Sequence, residues 1–230
     1  MRDESVPPRP ADEPLLISEE MLEPRVTTTD FERGMRYAPP VTLSMIAILV
    51  VVYRWQVSSG ALVSAESIVA AGALARDRVL AGEWWRMVTA GFLHGSADHL
   101  IGNCISLYIL GIACEHAIGA RAMLAVYGVS LLAGSAVSMA LGPGPGVGAS
   151  GAIFGIMGAI IVFLHRYRTT FHLRDTRIGF VVAIWAGYTL LLGAVNPMVD
   201  NGAHLGGLIG GALAVLATGP REALLEARTS

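Results

Sequence analysis

Charge is what this sequence has least of. Only 15% of its 230 residues are charged, whereas a typical soluble domain carries about 25%. Hydrophobic residues make up 53%, and the mean hydropathy is +0.58. These values exclude an ordinary soluble globular domain and indicate a membrane protein. Lysine is absent, so all 16 basic residues are arginine, which we interpret as a compositional bias of the source genome. Because the net charge is only −2 and the arginines are scattered, we expect no nucleic-acid partner.

Cysteine is equally scarce. Cys104 and Cys114 fall in one apolar segment, where ten residues of helix would separate them by about 15 Å, too far for a disulfide. We therefore interpret both as packing thiols. The first forty residues also lack the apolar core of a secretory signal peptide. We expect the first transmembrane helix itself to direct insertion.

The composition predicts a tail followed by a membrane domain. Residues 1–38 hold nine of the 18 acidic residues and several prolines, which predicts a disordered cytoplasmic N-terminal tail. Residues 39–219 are predicted to form an all-α, polytopic bundle of six transmembrane helices, and 220–230 a short cytoplasmic C-terminal tail. The apolar segments of near-bilayer length are 41–58, 95–114, 120–141, 149–165, 178–198 and 202–218. The long connection 59–94 places tryptophans beside arginines, so we expect it to be folded and partly embedded.

The arginines of the short connections predict the orientation. The connection 165–177 carries four arginines, whereas 142–148 and 196–203 carry none. Placing the arginine-rich connection inside puts both termini in the cytoplasm. The three arginines of 59–94 argue for the opposite orientation, but that connection is long enough to fold and counts for less. We expect residence in the cell membrane of a bacterium.

Polar side chains inside membrane spans are costly, so each needs a reason. In alternating helices, the polar residues that open the second, fourth and sixth spans all lie at the outward side. Glu115 and His116 lie at the inner end of the second span, and we interpret them as structural. The polar residues that stand out are His94, Asp98, His99, Asn103, Glu115, His116, Ser150 and His204.

Ser150 follows the glycine- and proline-rich run 142–146 and is predicted to fall in the first turn of the fourth helix. Free backbone N–H groups and the positive end of the helix dipole are available there and can hold a developing oxyanion. The alternative is that Ser150 only caps its helix, which is a common role for serine.

His204 opens the sixth helix, with Gly207 and Gly211 on the same face. Glycines at 151, 155 and 158 line the fourth helix, and small residues let transmembrane helices approach closely. Such an approach would bring His204 to Ser150 as a general base. The alternative is a simple packing seam in which His204 bonds a carbonyl group.

His99 and Asn103 are spaced i and i+4, so both point from one helix face. Two side-chain donors there are suited to an oxyanion hole. A zinc site is the rival interpretation, and haem held by two histidines is a second. The spacing of His94 and His99 does not put two ligands on one face, and no convincing third ligand follows. We therefore expect no metal and no cofactor.

Taken together, these motifs resemble the rhomboid family of intramembrane serine proteases. The resemblance covers about residues 41–218. The motifs that carry it occur in the order Trp85-Arg86, His94-x4-His99-x3-Asn103, Gly148-x-Ser150-Gly151 and Gly202-Ala203-His204-x-x-Gly207.

The resemblance implies a role for each matching residue. Ser150 would be the nucleophile and His204 the base, in a dyad. His99 and Asn103, with the Ser150 backbone N–H, would form the oxyanion hole. The remaining matches are His94 for hydrogen bonds of the site, Gly148 for the loop before the nucleophile, Trp85 and Arg86 for the embedded first loop, and Glu115 for a structural acid.

Phe154 and Asp200 each lie four residues from one member of the Ser150–His204 pair. Some family members place tyrosine four residues after the serine, stacked beneath the histidine. Here Phe154 keeps the ring without the hydroxyl, so we expect the stack without its hydrogen bond. Asp200 lies four residues before His204 and invites interpretation as a third catalytic member, but the family works as a dyad.

The predicted function is therefore intramembrane serine endopeptidase, cutting single-pass transmembrane substrates near the outer face of the bilayer. A catalytically inactive rhomboid-like protein that binds transmembrane helices is the alternative, and loss of the serine or histidine would mark it. A channel would carry polar residues through the whole membrane depth, whereas here they gather at one level.

Overall fold

The computed structural model describes residues 29–141, 144–173, 182, 184–189, 191, 196 and 199–221. These residues are mainly helical. In chain order the elements are β1 (Thr29–Asp30), α1 (Pro40–Ser58), α2 (Ala65–Ala70), α3 (Arg76–Leu80), α4 (Arg86–Thr89), a 3₁₀ turn (Ala90–Phe92), α5 (Ala97–Ile118), α6 (Ala120–Leu141), α7 (Ser150–Arg166), β2 (Phe171–His172) and α8 (Asn201–Leu216).

Five of the six predicted apolar segments coincide with long helices, namely α1, α5, α6, α7 and α8. In the described part of the chain, α1, α5 and α6 are long and apolar enough to cross a membrane, while α7 and α8 are shorter apolar helices of 17 and 16 residues. The predicted fifth span, 178–198, lies mostly outside the described residues. The all-α class is confirmed, and the count of six helices stays a prediction.

The long helices begin and end where the local chemistry dictates. The Ser96 hydroxyl caps α5 by accepting from the backbone N–H of His99 at 3.2 Å. The same helix ends at Gly119, whose φ of +82° suits glycine and turns the chain directly into α6. Helices α5, α6 and α7 therefore alternate in direction, and α8 runs parallel to α7, so α5, α7 and α8 all begin at one end of the bundle. We call this the Ser150 end and the opposite one the Glu115 end.

Glycines set how closely α8 packs on its neighbours. A Cβ atom at Gly207 would overlap the carbonyl oxygen of Gly151 in α7, and one at Gly211 would overlap that of Gly155. On its other side, α8 meets α6, where a Cβ at Gly206 would lie 2.6 Å from the Ala133 carbonyl oxygen. The backbones of α7 and α8 are thus in direct contact, as the glycine pattern predicts.

The connection 59–94 is folded, as expected, into α2, α3, α4 and the 3₁₀ turn. Arg86 is buried and holds it together, donating to the carbonyl oxygens of Val69 and Ala73 and pairing with the Glu83 carboxylate at 2.5 Å. Trp85 is half exposed and stacks on the Arg86 guanidinium. The predicted structural motif Trp85-Arg86 thus lies within this folded connection.

The predicted boundary of the N-terminal tail at residue 38 is wrong. Thr29 and Asp30 pair in parallel with Phe171 and His172, and Phe31 is 4% exposed. The Phe31 ring contacts aromatic rings of α7 and β2 and the His116 imidazole. A single aromatic residue can anchor a polar segment when its partners come from distant parts of the chain, and composition alone does not reveal them. Residues 1–28 lie outside the described residues.

Candidate active site

Ser150 and His204 are hydrogen-bonded to each other. Ser150 is the first residue of α7, and the N-cap position belongs to Ala149, with no side-chain cap. The Ser150 Oγ lies 2.9 Å from the His204 Nε2. The hydroxyl is therefore directed across the helix seam toward the imidazole, and the geometry differs from that of a capping serine.

The imidazole of His204 is held in one orientation. Its ring stacks on that of Phe154, with 4.2 Å between centroids and an angle of 4° between planes, and His204 is only 4% exposed. Within the described residues the buried Nδ1 atom has no hydrogen-bond partner. The Asp200 carboxylate instead accepts from the Ala203 N–H and from the Ser138 hydroxyl. Among the described residues, ring stacking and the contact with Ser150 orient this histidine, and the Asp200 carboxylate does not bond its ring.

Gly148 brings the loop before Ser150 against α5. Its φ of +127° is one that side-chain-bearing residues rarely adopt, and a Cβ there would lie 2.6 Å from the His99 Cε1. The same Cβ would lie 3.6 Å from the Asn103 Nδ2. The Gly148 N–H donates to the Ala90 carbonyl at 2.9 Å, which ties this loop to the connection 59–94. His99, Asn103 and Gly148 are thus brought together beside the start of α7.

Asn103 carries unused hydrogen-bonding capacity at this place. The residue is 6% exposed, and its Nδ2 atom has no partner among the residues that the structure describes. A buried amide left without an acceptor costs free energy, about 1–3 kcal/mol. Such a donor is ready to bind an oxygen atom that arrives with a ligand.

His94 is fully buried just before α5. Its backbone pairs twice with the Gln56 side chain, donating to Oε1 at 2.9 Å and accepting from Nε2 at 3.1 Å. The His94 and His99 rings meet edge to face at 5.1 Å. Among the described residues, they belong to no group of three potential metal ligands.

Glu115 lies at the far end of α5, away from the site. Its carboxylate accepts from the backbone N–H groups of Val41 and Thr42 and from the Thr42 hydroxyl, at 3.2, 2.9 and 2.9 Å. Helix α1 begins with Pro40 and has no side-chain cap of its own. Glu115 supplies that cap from another helix and also complements the dipole of α1.

Sequence reasoning missed several buried polar residues of the described structure, among them Gln56, Ser138 and Thr42. Gln56 is 0% exposed in the last turn of the apolar helix α1 and binds the backbone of His94. Ser138 binds Asp200. A glutamine within an apolar span is itself a signal, since polar groups there need partners. Ser138 and Thr42 carry no comparable signal, because hydroxyl residues are common in membrane helices.

The family model for the rhomboid domain matches residues 81–221, which include the Ser150–His204 pair and the loop beside it. The chain belongs to the rhomboid family. The resemblance seen in its motifs is therefore confirmed. The family and the apolar helices together identify the chain as an integral membrane protein.

Curated members of the family are similar over much of this chain. Rhomboid protease GluP of Bacillus subtilis is 34% identical over 182 residues, which cover 79% of this chain and 35% of the relative. RHOMBOID-like protein 5 of Arabidopsis thaliana is 38% identical over 61% of this chain and 46% of its own length. Rhomboid protease AarA of Providencia stuartii is 32% identical over 77% of this chain and 72% of its own length. The chain thus spans a third to a half of the first two relatives and more of the third.

Proposed function

We propose that this protein is an intramembrane serine endopeptidase that cleaves transmembrane-helix substrates with a Ser150–His204 dyad. The observation that carries the proposal is the 2.9 Å contact between Ser150 Oγ and His204 Nε2 inside an apolar helical bundle. A nucleophile within hydrogen-bond reach of a base is the arrangement that covalent acyl transfer needs. Two relatives carry the name rhomboid protease, which supports the same reaction class.

In the acylation step, Ser150 Oγ attacks the carbonyl carbon of the scissile peptide bond while its proton passes to His204 Nε2. The carbonyl oxygen becomes an oxyanion. We assign its stabilisation to the Asn103 Nδ2, the His99 ring and the Ser150 backbone N–H. The free Nδ2 donor beside the serine's loop supports this assignment, because preorganised donors stabilise charge that develops in the transition state.

In the second half of the reaction, the His204 imidazolium donates its proton to the leaving amine as the carbon–nitrogen bond breaks. Water then attacks the acyl-enzyme and gives a proton to His204 Nε2. The second tetrahedral intermediate collapses, and the proton returns to Ser150 Oγ as the acid product leaves. Phe154 maintains the ring plane through both steps by stacking.

We place the site near the outer face of a bacterial cell membrane, with both termini in the cytoplasm. The support is the arginine-rich connection 165–177, which follows the end of α7 opposite Ser150. A helical substrate must unwind locally, since a carbonyl inside a helix is shielded and already hydrogen-bonded. We therefore expect small or helix-breaking residues near the cleaved bond of single-pass substrates.

The alternative within the same family is an inactive protein that only binds transmembrane helices. Such a protein has no need for a serine hydroxyl directed at a buried imidazole. The contact between Ser150 and His204 favours the enzyme.

The test is co-expression of the full chain with a panel of epitope-tagged single-pass proteins, scored for release of an outward fragment. A serine-directed fluorophosphonate is added in parallel to label the enzyme. We expect fragment release and labelling at Ser150, both lost in Ser150→Ala and both unaffected by a metal chelator. Labelling at another residue, or activity lost in chelator and restored by zinc, would overturn the serine mechanism.

A further inference from the structure

Asp200 makes contacts that neither the dyad nor the oxyanion hole explains. It is the N-cap residue of α8, and its Oδ1 accepts from the Ala203 N–H at 2.9 Å. Its backbone carbonyl accepts the first helical hydrogen bond, from the His204 N–H at 3.1 Å. Asp200 therefore fixes the turn of backbone from which the imidazole of His204 projects.

The second carboxylate oxygen of Asp200 reaches another helix. Oδ2 accepts a short hydrogen bond from the Ser138 hydroxyl, near the end of α6. A Cβ at Gly146 would lie 3.3 Å from Oδ2 and 3.6 Å from the Ser138 Oγ, so the loop that leads to Ser150 lies directly over this pair. The pair and Ser150 line one small cavity of about 30 Å³.

The loop is in turn fixed from the other side. Gly146 exchanges two backbone hydrogen bonds with Leu74, both 2.9 Å long, in an antiparallel bridge to the connection 59–94. One carboxylate thus joins the start of α8, the end of α6 and, through packing, the loop before α7. These are the segments whose relative position sets the distance between His204 Nε2 and Ser150 Oγ.

We propose that Asp200, with Ser138, is a positioning residue that holds His204 in register with Ser150. This inference rests on the proposed function. It differs from a catalytic triad, because the Asp200 side-chain bonds go to Ala203 and Ser138, and no carboxylate bonds the His204 ring within the described residues. Asp200 acts by fixing the first turn of α8. Its loss lets the His204 imidazole shift along the contact between α7 and α8.

The chemistry of the contacts predicts which substitutions are tolerated. Asparagine keeps an oxygen that caps Ala203, and its amide N–H group can donate to the Ser138 hydroxyl oxygen, so Asp200→Asn retains both links. Alanine removes both. Since displacing a catalytic group by about 1 Å can cost about a hundredfold in rate, Asp200→Ala reduces turnover while leaving the substrate-binding surface in place.

The experiment compares the purified full chain with Asp200→Ala, Asp200→Asn, Ser138→Ala and the double alanine variant, in vesicles with a cleavable single-pass substrate. We expect Asp200→Ala to lower kcat about 10- to 100-fold with KM within about twofold of wild type. Asp200→Asn should stay within about threefold of wild type. The double variant should be no slower than Asp200→Ala alone, because both changes break one linkage. The control is Ser64→Ala, which removes the cap of α2 at a site exposed to solvent and should leave kcat unchanged.

A second measurement reads the position of the imidazole without turnover. In ¹⁵N-histidine-labelled protein, the His204 Nε2 resonance should be the same in wild type and Asp200→Asn, and shifted in Asp200→Ala toward its position in Ser150→Ala. Wild-type kcat and an unmoved resonance in Asp200→Ala would overturn the proposal. So would a loss of kcat that merely follows the loss of folded protein. A wild-type chain that neither cleaves nor labels, yet shows the shift in Asp200→Ala, would refute the protease function and leave the positioning intact.

Discussion

Helix α5 carries a buried polar cluster at each end, and the two clusters use their polar atoms differently. At the Glu115 end, the Glu115 carboxylate accepts three hydrogen bonds from the start of α1, and His116 Nε2 lies 2.6 Å from the Phe31 carbonyl oxygen. At the Ser150 end, Asn103 Nδ2 and His204 Nδ1 have no partner among the described residues. The first cluster joins chain segments, and the second keeps donors and acceptors available.

This contrast suggests a way to separate structural from functional polar residues in an apolar bundle. Both clusters cost free energy to bury. Hydrogen bonds within the protein offset that cost at the Glu115 end, so substitution there should act on stability. At the Ser150 end part of the cost is not offset in the free protein, so substitution there should act on the reaction.

The largest effect is expected for Ser150→Ala and His204→Ala. Each should reduce cleavage by at least about a thousandfold, because it removes the proposed nucleophile or the proposed base, while membrane abundance stays at the wild-type level. Fragment release and immunoblotting of the membrane fraction measure the two quantities. Cleavage near the wild-type rate in Ser150→Ala would contradict the functional role proposed for the Ser150 end.

The second-largest loss of activity is expected for Asn103→Ala. Loss of one oxyanion donor typically lowers kcat about 100- to 1,000-fold. Since the Nδ2 atom has no partner in the described structure, its removal should not lower the unfolding temperature. Steady-state kinetics and thermal unfolding in detergent check both parts. A drop in unfolding temperature without loss of kcat would place Asn103 with the structural residues.

Gly207→Ala tests the close contact between α7 and α8, which carry Ser150 and His204. A Cβ there would lie 2.6 Å from the Gly151 carbonyl carbon, so α7 and α8 must separate, and we expect kcat to fall about tenfold to a hundredfold. Gly128→Ala in α6 is the matched control, because a Cβ at Gly128 meets nothing within 4 Å. Equal rates in both variants, at equal membrane levels, would show that the seam tolerates separation.

Glu115→Ala should have the smallest effect on the reaction. It leaves the Val41 and Thr42 N–H groups without an acceptor and should cost about 1–3 kcal/mol of stability. The kcat per folded molecule should change less than about twofold, since Glu115 lies at the far end of α5. Thermal unfolding and kinetics, normalised to active sites labelled by a fluorophosphonate, measure the two effects. A large loss of kcat in the labelled fraction would contradict the proposal that the Glu115 end acts on stability and the Ser150 end on the reaction.

Much of the fold follows from local patterns. The predicted segment 120–141 matches α6 to the residue, and 41–58 matches α1 within one residue. Ser150 lies in the first turn of its helix, as predicted, because the glycine- and proline-rich run before it prevents an earlier start. The Phe154 stack was also predicted, from a resemblance that places an aromatic residue one turn after the serine.

Several other long-range contacts were not predicted from the sequence. The pairing of Thr29–Asp30 with Phe171–His172, the Gln56 clamp on His94 and the Ser138–Asp200 link each join residues that are far apart in the chain. The hydrophobic periodicity of a segment does not identify a partner residue that lies far away in the chain. The sequence shows that a polar group needs one, and the folded chain determines which one it finds.

The membrane character, the long helices and the short set of polar residues at their starts follow from the sequence alone, because hydropathy and helix-breaking residues act locally. The folded chain sets the 2.9 Å distance between Ser150 Oγ and His204 Nε2, leaves Asn103 Nδ2 without a partner among the described residues, and pairs Asp200 with Ser138. Those contacts depend on which glycine faces which backbone across α6, α7 and α8. That register is set by van der Waals packing of whole helices.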